Sequence, residues 1–263
     1  MCIRDSQILM WAVERTAGES ALALRLPSVL FGILSTVAIF FLGRSLFSWR
    51  EGLYAAAMIA TLWCPVTYSR IARAYSLLLL LSILSTLFWT GMIRGLRTTA
   101  TLPRRDGILY FAAAIAACYT HYFGLLLVAL QGVLAFALLA TDRRALLRAA
   151  GLYAAVLLVF VPWLPAMREQ LARGPIWIRR PQFSPWYHLL HVWRFFFDDS
   201  RIMGRIALAA APALALAALG VAVARRSWRV LGRAAVSREA GLVLWAVAPF
   251  AAAFILSRVS SPI

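Results

Sequence analysis

The stretch CPVTYSRIARAYSLLLLLSILSTLFW, residues 64–89, sets two arginines, Arg70 and Arg73, between two apolar runs. Neither 52–69 nor 75–93 contains a charged residue. About 20 consecutive apolar residues in a helix cross the hydrocarbon of a bilayer, so each run reads as a membrane span. The two arginines then stand at a membrane surface, in the short connection between spans.

Outward from this stretch the same alternation continues. Runs at 24–43, 52–69, 75–93, 107–119, 122–140, 149–167, 206–224 and 240–257 qualify as spans or nearly so. The pattern predicts an all-α, polytopic integral membrane protein with about eight transmembrane helices and an outer loop lying in the interface. Composition agrees: 63% of the 263 residues are hydrophobic, 14% are charged, and the mean hydropathy is +0.80. A soluble domain carries an apolar share nearer one half. The fourth run is short and only Thr120 and His121 part it from the fifth, so CYTHYFG, residues 118–124, reads as the turn of a tight helical hairpin.

All 27 basic residues are arginine, against 10 acids, for a net charge of +17. They gather in short clusters between apolar runs instead of forming one basic stripe, which argues against nucleic acid and for topology signals. With the loop after the first span cytoplasmic, segments 44–51, 94–106, 141–148 and 225–239 hold 14 arginines. The short opposite-side loops hold only Arg70 and Arg73. The long loop 168–205 holds seven, but long translocated loops weigh little in setting orientation.

This orientation leaves the chain before the first span outside. MCIRDS, residues 1–6, lacks the basic and apolar regions of a signal peptide. We therefore expect residues 1–6 to be foreign to the protein and residues 7–23 to be an outer-side amphipathic segment. Residues 24–263 are then a transmembrane domain, with outer loop 168–205, incomplete at both ends.

Several chemistries are excluded. No predicted span contains Asp or Glu, so an ion-coupled transporter lacks its usual intramembrane carboxylate. Cys2, Cys64 and Cys118 have neither disulfide nor zinc spacing, and no Gly-rich phosphate loop, nucleophile elbow or HExxH motif is present. His188 and His191, with Asp198 and Asp199 nearby, lack a third ligand on their helix, so no metal site is assigned.

What remains clusters on the outer side. Arg70 and Arg73 are three residues apart; with a helix opening near Tyr68 they share one face of its first turn, a place suited to a phosphate. The competing reading has both arginines reaching lipid headgroups from a helix end. His121 and Tyr122, in the hairpin turn, fit either a proton carrier or phosphate donor, or an interfacial aromatic belt. In the long loop, Ser184 and Pro185 open an aromatic amphipathic helix that should lie in the headgroup plane. Trp177, Arg179 and Arg180 are candidates to contact a sugar ring and an anionic group.

Five stretches in this order carry a likeness: GESALALRLPSVLFGILSTVAIFFLGRSLF (18–47), YSRIARAYSLLLLLSILS (68–85), YTHYFGLLLVALQG (119–132), VPWLPAMREQL (161–171) and WAVAPFAAAFILSRVSSPI (245–263). Together they resemble the GT-C superfamily of membrane glycosyltransferases, in particular the bacterial glycosyltransferase family 39 and protein mannosyltransferase-like group. The resemblance implies inverting transfer of a sugar from a polyprenyl-phosphate-linked donor to a glycan, lipid or protein acceptor. The reaction face would be extracytoplasmic, on a bacterial cytoplasmic (inner) membrane, with membrane lipids as further partners and no nucleic acid. It places donor-phosphate binding at Arg70, Arg73, Tyr75, His121 and Tyr122. The family's catalytic acid, which acts as base or holds a divalent metal, would fall upstream of residue 1. Relatives often carry a carboxylate at the position of Ile71 or near Tyr75, and this chain has none there. The alternative reading is a non-enzymatic headgroup-binding or flippase-type membrane protein, and a third is a structural membrane subunit.

Overall fold

The computed structural model describes residues 11–16, 18 and 20–172. The predicted spans 206–224 and 240–257 and the helix opening at Ser184 lie outside the described residues. Every regular element within them is helical: residues 11–16, then α1 (Ala21–Leu46), α2 (Trp49–Thr61), α3 (Trp63–Ser69), α4 (Tyr75–Thr99), α5 (Arg104–Thr120), α6 (Tyr122–Leu139), α7 (Arg143–Phe160), a 3-10 turn (Val161–Trp163) and α8 (Leu164–Ala172). By their contacts the described residues other than 62–64 belong to a first compact unit.

Among the described residues, four helical stretches are long and apolar enough to cross a membrane: Ala21–Leu46, Tyr75–Thr99, Tyr122–Leu139 and Arg143–Glu169. Helix is the form such segments take because lipid offers no partner for a free N–H or C=O. Side chains fix several ends. Ser20 caps α1, its Oγ accepting from Ala23 N at 3.1 Å. Ser48 precedes α2, its Oγ accepting from Arg50 N at 3.3 Å while its hydroxyl donates to the Glu51 carboxylate. Asp142 caps α7, its Oδ1 accepting from Arg144 N and Ala145 N at 2.8 and 3.1 Å.

Small residues bring the helices together, as membrane packing favours. Ala114, Cys118, Ala135, Ala145, Ala149 and Val156 are fully buried with Met92, Leu96 and Tyr110 in a core shared by α4, α5, α6 and α7. A smaller core joins Ala38 and Leu42 of α1 to Leu80 and Ile83 of α4. Where α1 meets α2, a Cβ on Gly43 would lie 2.7 Å from Gly52 Cα, so the crossing exists only with glycine.

Short turns make successive helices antiparallel, which sorts the connections into two ends. At one end the Arg94 guanidinium donates to the Ser45 carbonyl at 2.9 Å, and the Arg148 guanidinium donates to the Ala100 carbonyl. At the other end the Tyr75 and His121 rings lie 5.9 Å apart, and the Tyr119 hydroxyl donates to Val159 O at 2.7 Å. Among the described residues, Arg44, Arg50, Arg94, Arg97, Arg104, Arg105, Arg143, Arg144 and Arg148 fall at or beside the first end, whereas Arg15, Arg25, Arg70, Arg73 and Arg168 fall at or beside the second.

Three expectations need correction. The run 52–69 is not one helix: α2 stops at Thr61 and α3 starts at Trp63. Pro65 explains it, since its ring lacks an N–H and collides with the carbonyl four residues back, that of Thr61. The helix bearing the long leucine run begins at Tyr75, not near Tyr68, so Arg70 and Arg73 are not on its first turn. Finally, the sixth run bends through a 3-10 turn at Pro162, and α8 carries helix to Ala172, into the segment expected to be loop.

Candidate functional site

The connection 70–74 is a built turn. α3 closes with tightening bonds from Arg70 N to Thr67 O, 3.1 Å, and from Ile71 N to Tyr68 O, 3.4 Å. Ser76 Oγ donates back to that Tyr68 carbonyl at 3.0 Å, and Arg73 N donates to Ile71 O at 2.8 Å. These local bonds use the groups a continuing helix would need, which is why the chain leaves the helix here. α1 supports the turn from the side: Ser28 Oγ donates to Arg73 O at 3.4 Å, and Gly32 is where the Ser69 side chain comes to rest.

The result is a turn that exposes its charges. Arg70 and Arg73 are exposed, and neither guanidinium has a hydrogen-bond or ion-pair partner among the described residues. Ile71 between them is 39% exposed. A carboxylate at 71 would partly neutralise the arginines; an isoleucine leaves both for an external anion.

The hairpin meets this turn through aromatic rings. Tyr68 and Tyr75 lie 4.6 Å apart, Tyr75 and His121 5.9 Å, and His121 stacks on Phe123 at 4.9 Å with 14° between planes. Tyr122 follows at 6.5 Å from His121, with its hydroxyl toward Trp163. Tyr119 packs on Phe160 and Trp163 at 5.6 and 5.8 Å. His121 is the single residue between α5 and α6, extended at φ −161° and ψ 147°. Its Nδ1 accepts from Phe123 N at 3.2 Å, making it the cap of α6, and burial holds its pKa below the ordinary imidazole value.

Of the predicted site residues, Tyr75, His121 and Tyr122 come together, with Arg70 and Arg73 on the turn that Tyr75 ends. Trp177, Arg179 and Arg180 lie outside the described residues. Three residues went unread. Tyr68 and Phe123 extend the ring series. Arg25 stands one turn before Ser28 on α1, exposed, so the Ser28–Arg73 hydrogen bond puts a third arginine beside the turn. Its signal was an arginine in the first turn of an apolar run, RLPSVL at 25–30.

Chemically, guanidinium forks suit phosphate oxygens bidentately, and aromatic faces suit sugar rings. No group of three or more His, Cys, Asp or Glu side chains converges among the described residues. A divalent ion is thus not fitted by these described residues. Compared with known families, residues 7–167 match the one described as dolichyl-phosphate-mannose-protein mannosyltransferase. No curated protein and no solved structure matches the chain.

Proposed function

The chain belongs to the dolichyl-phosphate-mannose-protein mannosyltransferase family, a family of membrane glycosyltransferases with lipid-linked sugar donors. From that premise we propose that it transfers a sugar from a polyprenyl-phosphate carrier to an acceptor on the extracytoplasmic face of the membrane. The donor phosphate sits among Arg70, Arg73 and Arg25, beside Tyr75, His121 and Tyr122. One observation carries the reading: the two turns that meet through Tyr75 and His121 lie at the arginine-poor end, and their arginines have no partner among the described residues.

The chemistry follows from charge. As the bond from the anomeric carbon to the phosphate oxygen breaks, its electron pair stays on the phosphate. Guanidinium groups already in place gain most when that charge develops, so they favour the transition state over bound donor. The acceptor hydroxyl forms the new bond from the opposite side of the sugar, and its proton goes to a base outside this cluster. Membrane embedding brings the prenyl chain alongside, and the exposed Phe123 and Ile71 offer it an apolar margin.

The test is transfer by the natural gene product in vesicles containing a polyprenyl-phosphate sugar. Arg73→Ala is expected to lower transfer roughly 10- to 100-fold, the worth of a charge-assisted hydrogen bond of about 1.5–3 kcal/mol. Arg97→Ala, at the opposite end, should change it less than about twofold, as for an exposed charge. Equal effects overturn the site. Donor binding without transfer by the wild-type protein would favour the headgroup-binding alternative.

A further inference from the structure

We propose that His121 serves the donor phosphate as a neutral, single-tautomer hydrogen-bond donor through Nε2–H, and not as a base or proton carrier. This rests on the phosphate placement above and assigns the role of one residue within it.

The geometry decides the tautomer. Nδ1 accepts the backbone N–H of Phe123 at 3.2 Å, so its lone pair is engaged and it carries no proton. A neutral imidazole then holds its one proton on Nε2. Ring contacts fix where that proton points: Phe123 stacks on one face at 4.9 Å, and Tyr75 from α4 approaches at 5.9 Å. Nε2 has no partner among the described residues, and it is half-buried beside the turn bearing Arg70 and Arg73.

The neighbours keep the ring neutral. Titratable groups facing it are the phenols of Tyr75 and Tyr122, on α4 and α6. No carboxylate among the described residues makes a hydrogen bond or ion pair with it that would favour imidazolium. Burial lowers its proton affinity further. With Nδ1 engaged and Nε2 protonated, no free lone pair remains to accept the acceptor's proton. During transfer the anomeric C–O bond breaks with its electron pair left on the phosphate, the acceptor oxygen bonds to carbon, and the acceptor proton goes to a carboxylate base outside this cluster. Nε2–H keeps its proton and its hydrogen bond shortens onto the more negative oxygen.

Two cap-preserving substitutions separate this role from capping. Asn and Asp are both strong caps for α6, but only Asn retains a donor. In the same vesicle assay, His121→Asn is expected to keep transfer within about 10-fold of wild type. His121→Asp, which turns a carboxylate toward the phosphate, should lose more than about 100-fold while remaining folded. Both variants matching wild type, or Asp exceeding Asn, overturns the proposal, whereas an undiminished Arg73→Ala overturns the phosphate placement instead. A readout independent of turnover is the ¹⁵N spectrum of histidine-labelled protein, with the His121 signals identified by their loss in His121→Asn. Protonated Nε2 with unprotonated Nδ1 at pH 7 supports the proposal, and the reverse tautomer or imidazolium overturns it.

Discussion

The hairpin that carries His121 depends on a missing methyl. A Cβ on Gly124 would lie 2.3 Å from the Ala117 carbonyl oxygen and 2.4 Å from its carbon. Both are backbone atoms and neither can swing aside. Gly124→Ala should therefore force α5 and α6 apart where His121 turns the chain, costing about 1–3 kcal/mol as overpacking does. It should lower the melting midpoint in detergent and, by moving His121, lower transfer as well. Gly151 on α7 has nothing within 4 Å of an added Cβ, so Gly151→Ala should leave both unchanged. A hairpin indifferent to Gly124→Ala would contradict the close approach. The tight turn itself was legible from the two residues, Thr120 and His121, separating the fourth and fifth runs. Arg25 was not legible, because what places it is a hydrogen bond between Ser28 and Arg73, 45 residues apart.

At the scale of elements, hydropathy read the long helices well. The runs 24–43, 75–93 and 122–140 fall on α1, α4 and α6, with ends within three residues except that α4 continues past residue 93 to Thr99. It failed inside 52–69, because a proline among apolar residues leaves the hydropathy unchanged while removing one N–H and blocking one carbonyl. It also missed the polar links between helices. Gln131 of α6 is 1% exposed; its Oε1 accepts from Ser85 Oγ at 3.1 Å and its Nε2 donates to Thr86 Oγ1 at 3.3 Å, both on α4. Gln131→Leu leaves Thr86 its bond to Ser82 O but strips the fully buried Ser85 hydroxyl of its acceptor. Such links inside a bilayer are worth about 0.6 kcal/mol on average and about 1.7 at most. Because that hydroxyl is left buried and unpaired, we expect a loss of about 1–2 kcal/mol in reversible unfolding from mixed micelles. Stability equal to or above wild type would show that the Gln131 link is not formed.

The first unit is polarised by its arginines, and for the proposed function this bears on the face from which a donor would arrive. Among the described residues, nine arginines lie at or beside the end of turns 47–48, 100–103 and 140–142, while the opposite end exposes five, Arg15, Arg25, Arg70, Arg73 and Arg168. Arginine excess marks the cytoplasmic side, so turn 70–74 should face outward, where a carrier-linked sugar meets an acceptor. Single cysteines test this directly. Cys64 and Cys118 are buried, so they should react poorly, and replacing Cys2 by Ser should leave a quiet background. Arg70 and Thr141 are both exposed, each at one end of the unit. In intact cells Arg70→Cys should be labelled by a membrane-impermeant maleimide, and Thr141→Cys only after permeabilisation. The reverse pattern would place the arginine-rich end outside. It would then remove the donor site from the face proposed for transfer, even though every distance between Tyr75, His121 and the turn stayed the same.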